Sequence, residues 1–511
     1  MKLIRILLPA VLVFFMACKT IDEPKVYSSL MSTNAFQTRN DAIAAVNAVY
    51  ARLKAPSGIS DAWMYYAGFQ VIISDLTTDV GQSEGGTDVV AMTDCLWGSS
   101  NQYLSFSWQQ QYKLVYDANT AIYYLNKMTT ITEDEKAQFV SECRFLRALG
   151  YVDLTDAFGP VILMTDQSVA DNIANPDYES KPTVTPVEEI NKVIIADLEY
   201  AAAHLPVNYE THTIYPTTDV GRASKGAALT LLMKLYMREK QWQKVVDVSS
   251  QIMGLNEYDL YPTYEGLFKE ANVWCEENIF NCMANALVDG MEIMNHFGPV
   301  NHPEVTDRWG WLGVSWHFYD QFEPGDDRRD KMFFVDYDGT DGLKYIEPIK
   351  GQATPPEGTT YMPYAYTKKY ADPTGSTTYY DGHGFPILRY ADVVLSRAEA
   401  LNELNGPTTE NIGLINQTKN RAHATPLGAP GTYSKESLRD AILLERGFEF
   451  YFECKRRQDL IRMDKYEPIV NAYLKSYGQE QQVQLPRDKY FPYPQKQVDL
   501  NPNLSNADRR Q

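Results

Sequence analysis

The stretch LERGFEFYFECKRRQDLIR, residues 444–462, limits what this chain can fold into more than any other. It is long, free of Pro and breaks the usual amphipathic rule, which predicts a buried helix. At about 100° per residue, Glu445, Glu449, Glu453 and Arg456 fall within roughly 80° of one another. Leu443, Phe448, Phe450, Tyr451, Cys454 and Ile461 spread over the rest of the circumference. A charged stripe on an apolar cylinder survives burial only if its charges are paired. Acid/base carboxylates of the glycosidase kind flank a bond from two sides, which residues on one helix stripe do poorly. The stripe therefore predicts a structural ion-pair network with Arg446, Arg456 and Arg462 as partners, and no catalytic residue is assigned to it.

The first 17 residues carry Lys2 and Arg5, an apolar run from Ile6 to Phe15, then Met16 and Ala17 before Cys18. That run is too short to span a bilayer and reads as a signal peptide. Ala17 directly before Cys18 fits a lipoprotein cleavage box, with Phe15 where Leu is commonest, so lipidation of Cys18 is expected. Beyond it lie Cys95, Cys143, Cys275, Cys282 and Cys454, an odd number, with Cys143 and Cys454 inside predicted helices. A disulfide framework is not expected, although one Cys275–Cys282 bridge stays open. No Cys-x-x-Cys or His-Glu-x-x-His motif calls for zinc, and no cofactor is indicated. The net charge of −19 without clustered Lys or Arg argues against a nucleic-acid surface.

Helical periodicity covers residues 34–53, with Thr38 or Asn40 as cap, and returns from Trp108 to Met128. A further helix starts at Thr132, where Glu135 completes a capping box. Residues 222–253 read as helix, turn at Glu239-Lys240, helix. From 255 to 385 the periodicity fades into Gly, Pro, Asp, Tyr and Trp, and helices resume over 387–470. An irregular insertion this long is functional or disordered, and its rings argue against disorder. Asp336–Asp341 half resembles a calcium loop but lacks the terminal Glu, so a solvated turn is the expectation.

Several motifs carry a family resemblance: Glu445-Arg446, Glu449, Glu453, Arg456, Asp459-Leu460 and Arg462; Arg147–Tyr151 followed by Phe158-Gly159-Pro160; the hairpin from Arg222; Asp326-Asp327-Arg328; and Arg389–Asp392. Together with the lipobox, the acidic pair Asp22-Glu23 and the tail after Lys489, the chain resembles the SusD/RagB family, surface lipoproteins of Bacteroidetes. The resemblance implies a mainly α fold with tetratricopeptide-like helical hairpins and a large loop-rich region packed against them, residues 18–511 forming one domain. It implies a lipid-anchored outer-membrane protein, exposed at the cell surface, that binds an oligosaccharide or polysaccharide and passes it to a SusC-like TonB-dependent transporter. Rival readings are the same scaffold holding a peptide, glycoprotein or other nutrient, and a glycoside hydrolase.

The 35 Tyr, 20 Phe and 8 Trp exceed what core filling usually needs, so some rings are expected at the surface. Sugars offer apolar C–H faces and hydroxyls, which flat rings with a few polar groups can match. Two loops leave the helical pattern with Trp beside Gly or Ser. The expected ligand-binding residues are Trp97, Asn101 and Tyr103 from the first and Arg308, Trp309, Trp311 and Trp316 from the second, with Trp63, Tyr65 and Tyr66 in reserve.

Overall fold

A computed structural model describes residues 36–54, 65–175, 181–210, 214–215, 219–284, 293–306, 308–370 and 382–510. The signal peptide, Cys18 and Trp63 lie outside the described residues. The helix Arg39–Ala51 begins at Thr38, whose side chain and that of Asp41 cap each other's backbone amides. Thr132 and Glu135 form the expected box at the start of Glu133–Phe158. That helix packs along Gln102–Lys127, and Gly150 permits the close approach, since a Cβ there would sit 3.0 Å from Val115 Cγ2.

The stack then continues in chain order through Val187–His204, Lys225–Arg238 and Trp242–Met253, the last two being the expected hairpin. Tyr390–Asn405 packs on Trp242–Met253 and is covered by Thr409–Arg421 and Lys435–Phe450. Paired helices that bury a face only against their neighbours are the tetratricopeptide pattern, and the fold is mainly α. Residues 255–385 leave this stack and return to it. An antiparallel ribbon of Asn278–Cys282 with Phe385–Arg389 ties the end of the excursion to its start. A second ribbon, Gly81–Ser83 with Leu312–Val314, joins the excursion to the N-terminal part.

The expected continuous helix over 444–462 is broken. Lys435–Phe450 and Arg456–Arg462 are separate helices, with Phe452 (φ 57°) and Cys454 (φ 61°) turning the chain between them. The cause is what receives the carbonyls that a helix end leaves unpaired. Lys369 Nζ donates to the carbonyls of Glu449 (3.3 Å) and Tyr451 (2.8 Å), and Arg389 Nη2 to that of Glu449 (3.1 Å). The Tyr264 and Tyr370 hydroxyls donate to the carbonyls of Glu449 (2.6 Å) and Phe452 (2.9 Å). The two cations also face the negative end of the helix dipole. All these donors come from distant sequence, so local periodicity could not reveal the break.

Two smaller expectations resolve. Cys95, Cys143, Cys275, Cys282 and Cys454 all carry free thiols, so the Cys275–Cys282 bridge does not form. Asp336–Asp338 pairs with Lys344–Ile346 as a hairpin. Asp341 accepts from the Leu343 amide, the Tyr345 hydroxyl and Asn301.

Candidate functional site

The charged stripe is an interior structure. Glu445 pairs with Arg328 at 2.7 Å, Glu449 with Arg389 at 3.0 Å and with Arg421, and Glu453 with Arg389 at 2.7 Å and Lys369 at 2.6 Å. Glu277 closes the ring by pairing with both Arg389 and Arg421. Arg446, Arg456 and Arg462 are paired too, but not with the stripe. Arg446 binds Asp392 (2.9 Å) and Asp459 (2.8 Å), Arg456 binds Asp79 (2.8 Å), and Arg462 binds Glu399 (2.7 Å). The helix break carries Arg456 and Arg462 off the stripe. Gly447 leaves room for Arg456, whose Nη1 lies 2.8 Å from where a Cβ would stand.

Burial works against ionising Glu449, but Arg421, Arg389 and Arg328 outweigh it and hold the carboxyl down to about 2. Burial also pulls Lys369 down to about 8. The stripe carboxylates are at most 2% exposed and fully engaged, so none faces a substrate. Beside them lies a cavity of about 100 Å³ lined by Asp153, Lys234, Arg238, Asp392 and Lys455. It has room for a few waters and no sugar chain. Tyr65 and Tyr66, held in reserve as ligand rings, are buried here and both donate to Asp153 at 2.6 Å. Burial pushes the Asp153 carboxyl up to about 7.

The first predicted ligand loop is also structural. Trp97 is 1% exposed, edge-on to Phe491 at 5.1 Å with the Arg457 guanidinium over its ring. Asn101 caps the helix Gln102–Lys127, accepting from the Tyr103 amide at 3.0 Å, and its Nδ2 donates to the Asp88 carbonyl at 2.9 Å. Tyr103 lies in the first turn of that helix, which starts earlier than the expected Trp108, and packs on Phe106. A buried ring and a buried cap offer no face to a sugar.

The second loop behaves differently. Trp309 and Trp311 are half-buried with centroids 5.0 Å apart, and His296 lies 5.0 Å from one ring and 5.7 Å from the other. Gly310 between them has φ 58°, a left-handed conformation that favours Gly. A Cβ there would meet Val300 at 2.9 Å and the Tyr366 hydroxyl at 3.0 Å. The Tyr364 hydroxyl donates to the Gly310 carbonyl. Asn295 holds the preceding turn, accepting from Arg308 Nη1 at 2.5 Å on its side chain and from the Trp309 amide at 2.8 Å on its carbonyl. Arg308 is thus a brace for the turn, only 9% exposed. Trp316 is half-buried but donates its indole N–H to the Met362 carbonyl and packs edge-on to Tyr319. The structure therefore brings together two of the expected rings and adds His296, which the scattered histidines of the sequence did not reveal. It also exposes Trp274 to 50%, over Gly221, a ring the sequence reading passed over.

A family model described as "SusD family" matches residues 295–508, and one described as "Starch-binding associating with outer membrane" matches 32–237. Between them they take in most of the helical stack, the paired rings and the charged stripe, leaving out residues 238–294 with the helix Trp242–Met253 and Glu277. The chain belongs to the SusD/RagB family. Among similar SusD/RagB proteins is the SusD-like protein P25 of Formosa agariphila, 24% identical over 99% of both chains. The starch-binding protein SusD of Bacteroides thetaiotaomicron is 23% identical over 76% of this chain and 74% of that one. Surface glycan-binding protein A of Bacteroides thetaiotaomicron, solved in complex with laminarihexaose, shares the fold with a TM-score of 0.72 at 22% identity, covering 91% of this chain and 98% of that one. Within this SusD/RagB fold the Trp309–Trp311 turn is the candidate site.

Proposed function

We propose that this SusD/RagB chain captures an oligosaccharide or polysaccharide at the cell surface and passes it, without catalysis, to a SusC-like TonB-dependent transporter. Lipid on Cys18 holds residues 18–511 to the outer membrane as a single SusD-like unit. The observation that carries the reading is the Trp309–Trp311 pair: two half-buried rings, 5.0 Å apart, on a turn whose backbone is fixed from within. Such a surface stacks against sugar C–H faces with little entropy left to lose. Relatives named for starch and glycan binding, one bound to laminarihexaose, support the ligand class.

The test is titration of a glycan panel against the wild-type protein, Trp309→Ala and Trp311→Ala. Losing one stacking ring should weaken binding by on the order of 1 to 3 kcal/mol, by analogy with base stacking on aromatics, about ten-fold or more. Melting temperatures should change little. Two folded variants that bind a verified glycan as the wild type does would place the site elsewhere.

A further inference from the structure

We propose that Glu84 belongs to the Trp311 surface as a ligand-contacting residue, accepting hydrogen bonds from sugar hydroxyls and selecting neutral glycans over uronate-bearing ones. The inference rests on the glycan-binding reading above and specifies the ligand class of the same site.

The ribbon that joins the N-terminal part to the excursion pairs Gly81 with Val314, Gln82 with Gly313 and Ser83 with Leu312. The pairing ends at Ser83 and Leu312, and continuing its register by one residue sets Glu84 opposite Trp311. Residues opposite each other across two strands share a face, with Cβ atoms about 5 Å apart. Contacts on that face agree. A Cβ on Gly313, two residues from Trp311 and on the same face, would lie 2.0 Å from the Tyr364 ring. The Tyr364 hydroxyl donates to the Gly310 carbonyl and lies within electrostatic reach of Glu84. Glu84, the Tyr364 hydroxyl and the Trp309–Gly310–Trp311 turn therefore meet at one place.

The charges at this place are asymmetric. Glu84 is exposed, whereas the guanidinium of Arg308 is buried and turned onto Asn295. A carboxylate beside a stacked sugar can accept from two hydroxyls through its two oxygens, and such charge-assisted bonds are the stronger kind. A uronate in the same position would meet a like charge, on a chain whose net charge is already −19.

Affinity electrophoresis and calorimetry with the wild type, Glu84→Gln and Trp311→Ala test this. The probes are a β-glucan, a galactan and a mannan as neutral polymers, and polygalacturonate and alginate as anionic ones. The wild type should retain at least one neutral polymer and bind both anionic ones at least about ten-fold less tightly. Glu84→Gln should melt as the wild type does, weaken neutral binding about ten-fold and narrow the gap to the uronates. If Trp311→Ala weakens binding while Glu84→Gln leaves both classes unchanged, or if the wild type prefers a uronate, the inference falls and the site stands. If the wild type retains no polymer, or Trp311→Ala binds as the wild type does, the site falls and takes the inference with it.

Discussion

At the end of the Lys435–Phe450 helix every charged group meets its partner inside the protein, whereas the Trp309–Gly310–Trp311 turn completes its backbone internally and carries two rings that are half-buried. The first region holds the residue types that chemistry uses, Glu, Arg and Lys, yet its geometry is closed: Glu449 alone is met by Arg328, Arg389 and Arg421. In the second, the bonds from Arg308 to Asn295 and from Tyr364 to the Gly310 carbonyl fix the turn that carries two rings. Residue type therefore says less about function here than where the partners lie. A set of side chains that satisfies itself makes the fold, and the proposed site is sought where rings stay only partly buried.

Removing a member of the closed set should have the largest effect. Arg389 meets Glu277, Glu449 and Glu453, so Arg389→Ala leaves carboxylates buried without their cation. A loss of about 3–5 kcal/mol or outright failure to fold is expected, read by urea denaturation. Acid should loosen the same region. Glu449 titrates near 2 in the folded chain and at about 4.3 when unfolded. Its contribution is therefore complete above about 4.3 and disappears as pH falls toward 2. A stable Arg389→Ala protein would mean that the network is solvated and the contrast with the turn is false.

Trp97→Ala sharpens the contrast from the other side, because Trp97 and Trp311 are the same residue type in the two kinds of surroundings. Deleting the buried ring should cost about 3 kcal/mol of stability through the cavity it leaves, with glycan affinity of the folded protein unchanged. Trp311→Ala should do the reverse. If Trp97→Ala lowered affinity at wild-type stability, the first loop would belong to the site after all.

The sequence made the helical stack legible because its signals are local: Thr132 with Glu135 at one helix start, and the helix, turn and helix of residues 222–253. It also marked the stripe as a paired network. The partners were out of reach, since Arg328 and Lys369 arrive from the excursion, Arg389 from the strand that closes it and Arg421 from another helix, and no period links them to Glu445 or Glu449. The break after Phe450 was hidden for the same reason. At the proposed site, Trp309 and Trp311 stood out beside Gly310, but Trp97 beside Gly98 looked alike. Burial tells them apart, and burial depends on Phe491 and Arg457, hundreds of residues away in the chain. Glu84 became visible only through the register of a three-residue ribbon.

Asp153 gives a smaller effect of opposite pH sign to Glu449. Its carboxyl is raised to about 7 by burial, against about 3.9 in an unfolded chain. The folded state holds the proton more tightly, so this group's stabilisation is full below about 3.9 and is lost as pH rises through 7. Asp153→Asn mimics the protonated form and keeps an oxygen for the Tyr65 and Tyr66 hydroxyls. The variant should gain on the wild type progressively between about pH 4 and 7 and keep that gain at pH 8. Parallel stability curves for the two proteins would show that the carboxylate is solvated through the adjoining cavity.

Asn101 offers the smallest effect and the finest division between the two kinds of region, because it was expected at the ligand and is found at a helix start. Its Oδ1 takes the Tyr103 amide and its Nδ2 holds the Asp88 carbonyl, while the Asp88 side chain accepts from the Gln102 amide at 3.3 Å. Both ends of the amide are thus engaged within the protein, as in the buried network. Asn101→Ala should lose about 1 kcal/mol, the usual worth of an N-cap. Asn101→Asp, which keeps the cap oxygen but drops the donor to Asp88, should fall between. Neither should alter glycan affinity. Chemical denaturation and titration on the same samples decide the matter. A variant that keeps its stability and loses affinity ten-fold would make Asn101 a ligand contact reached by a movement of residues 86–101, and the border between scaffold and site would have to be drawn on the other side of that segment.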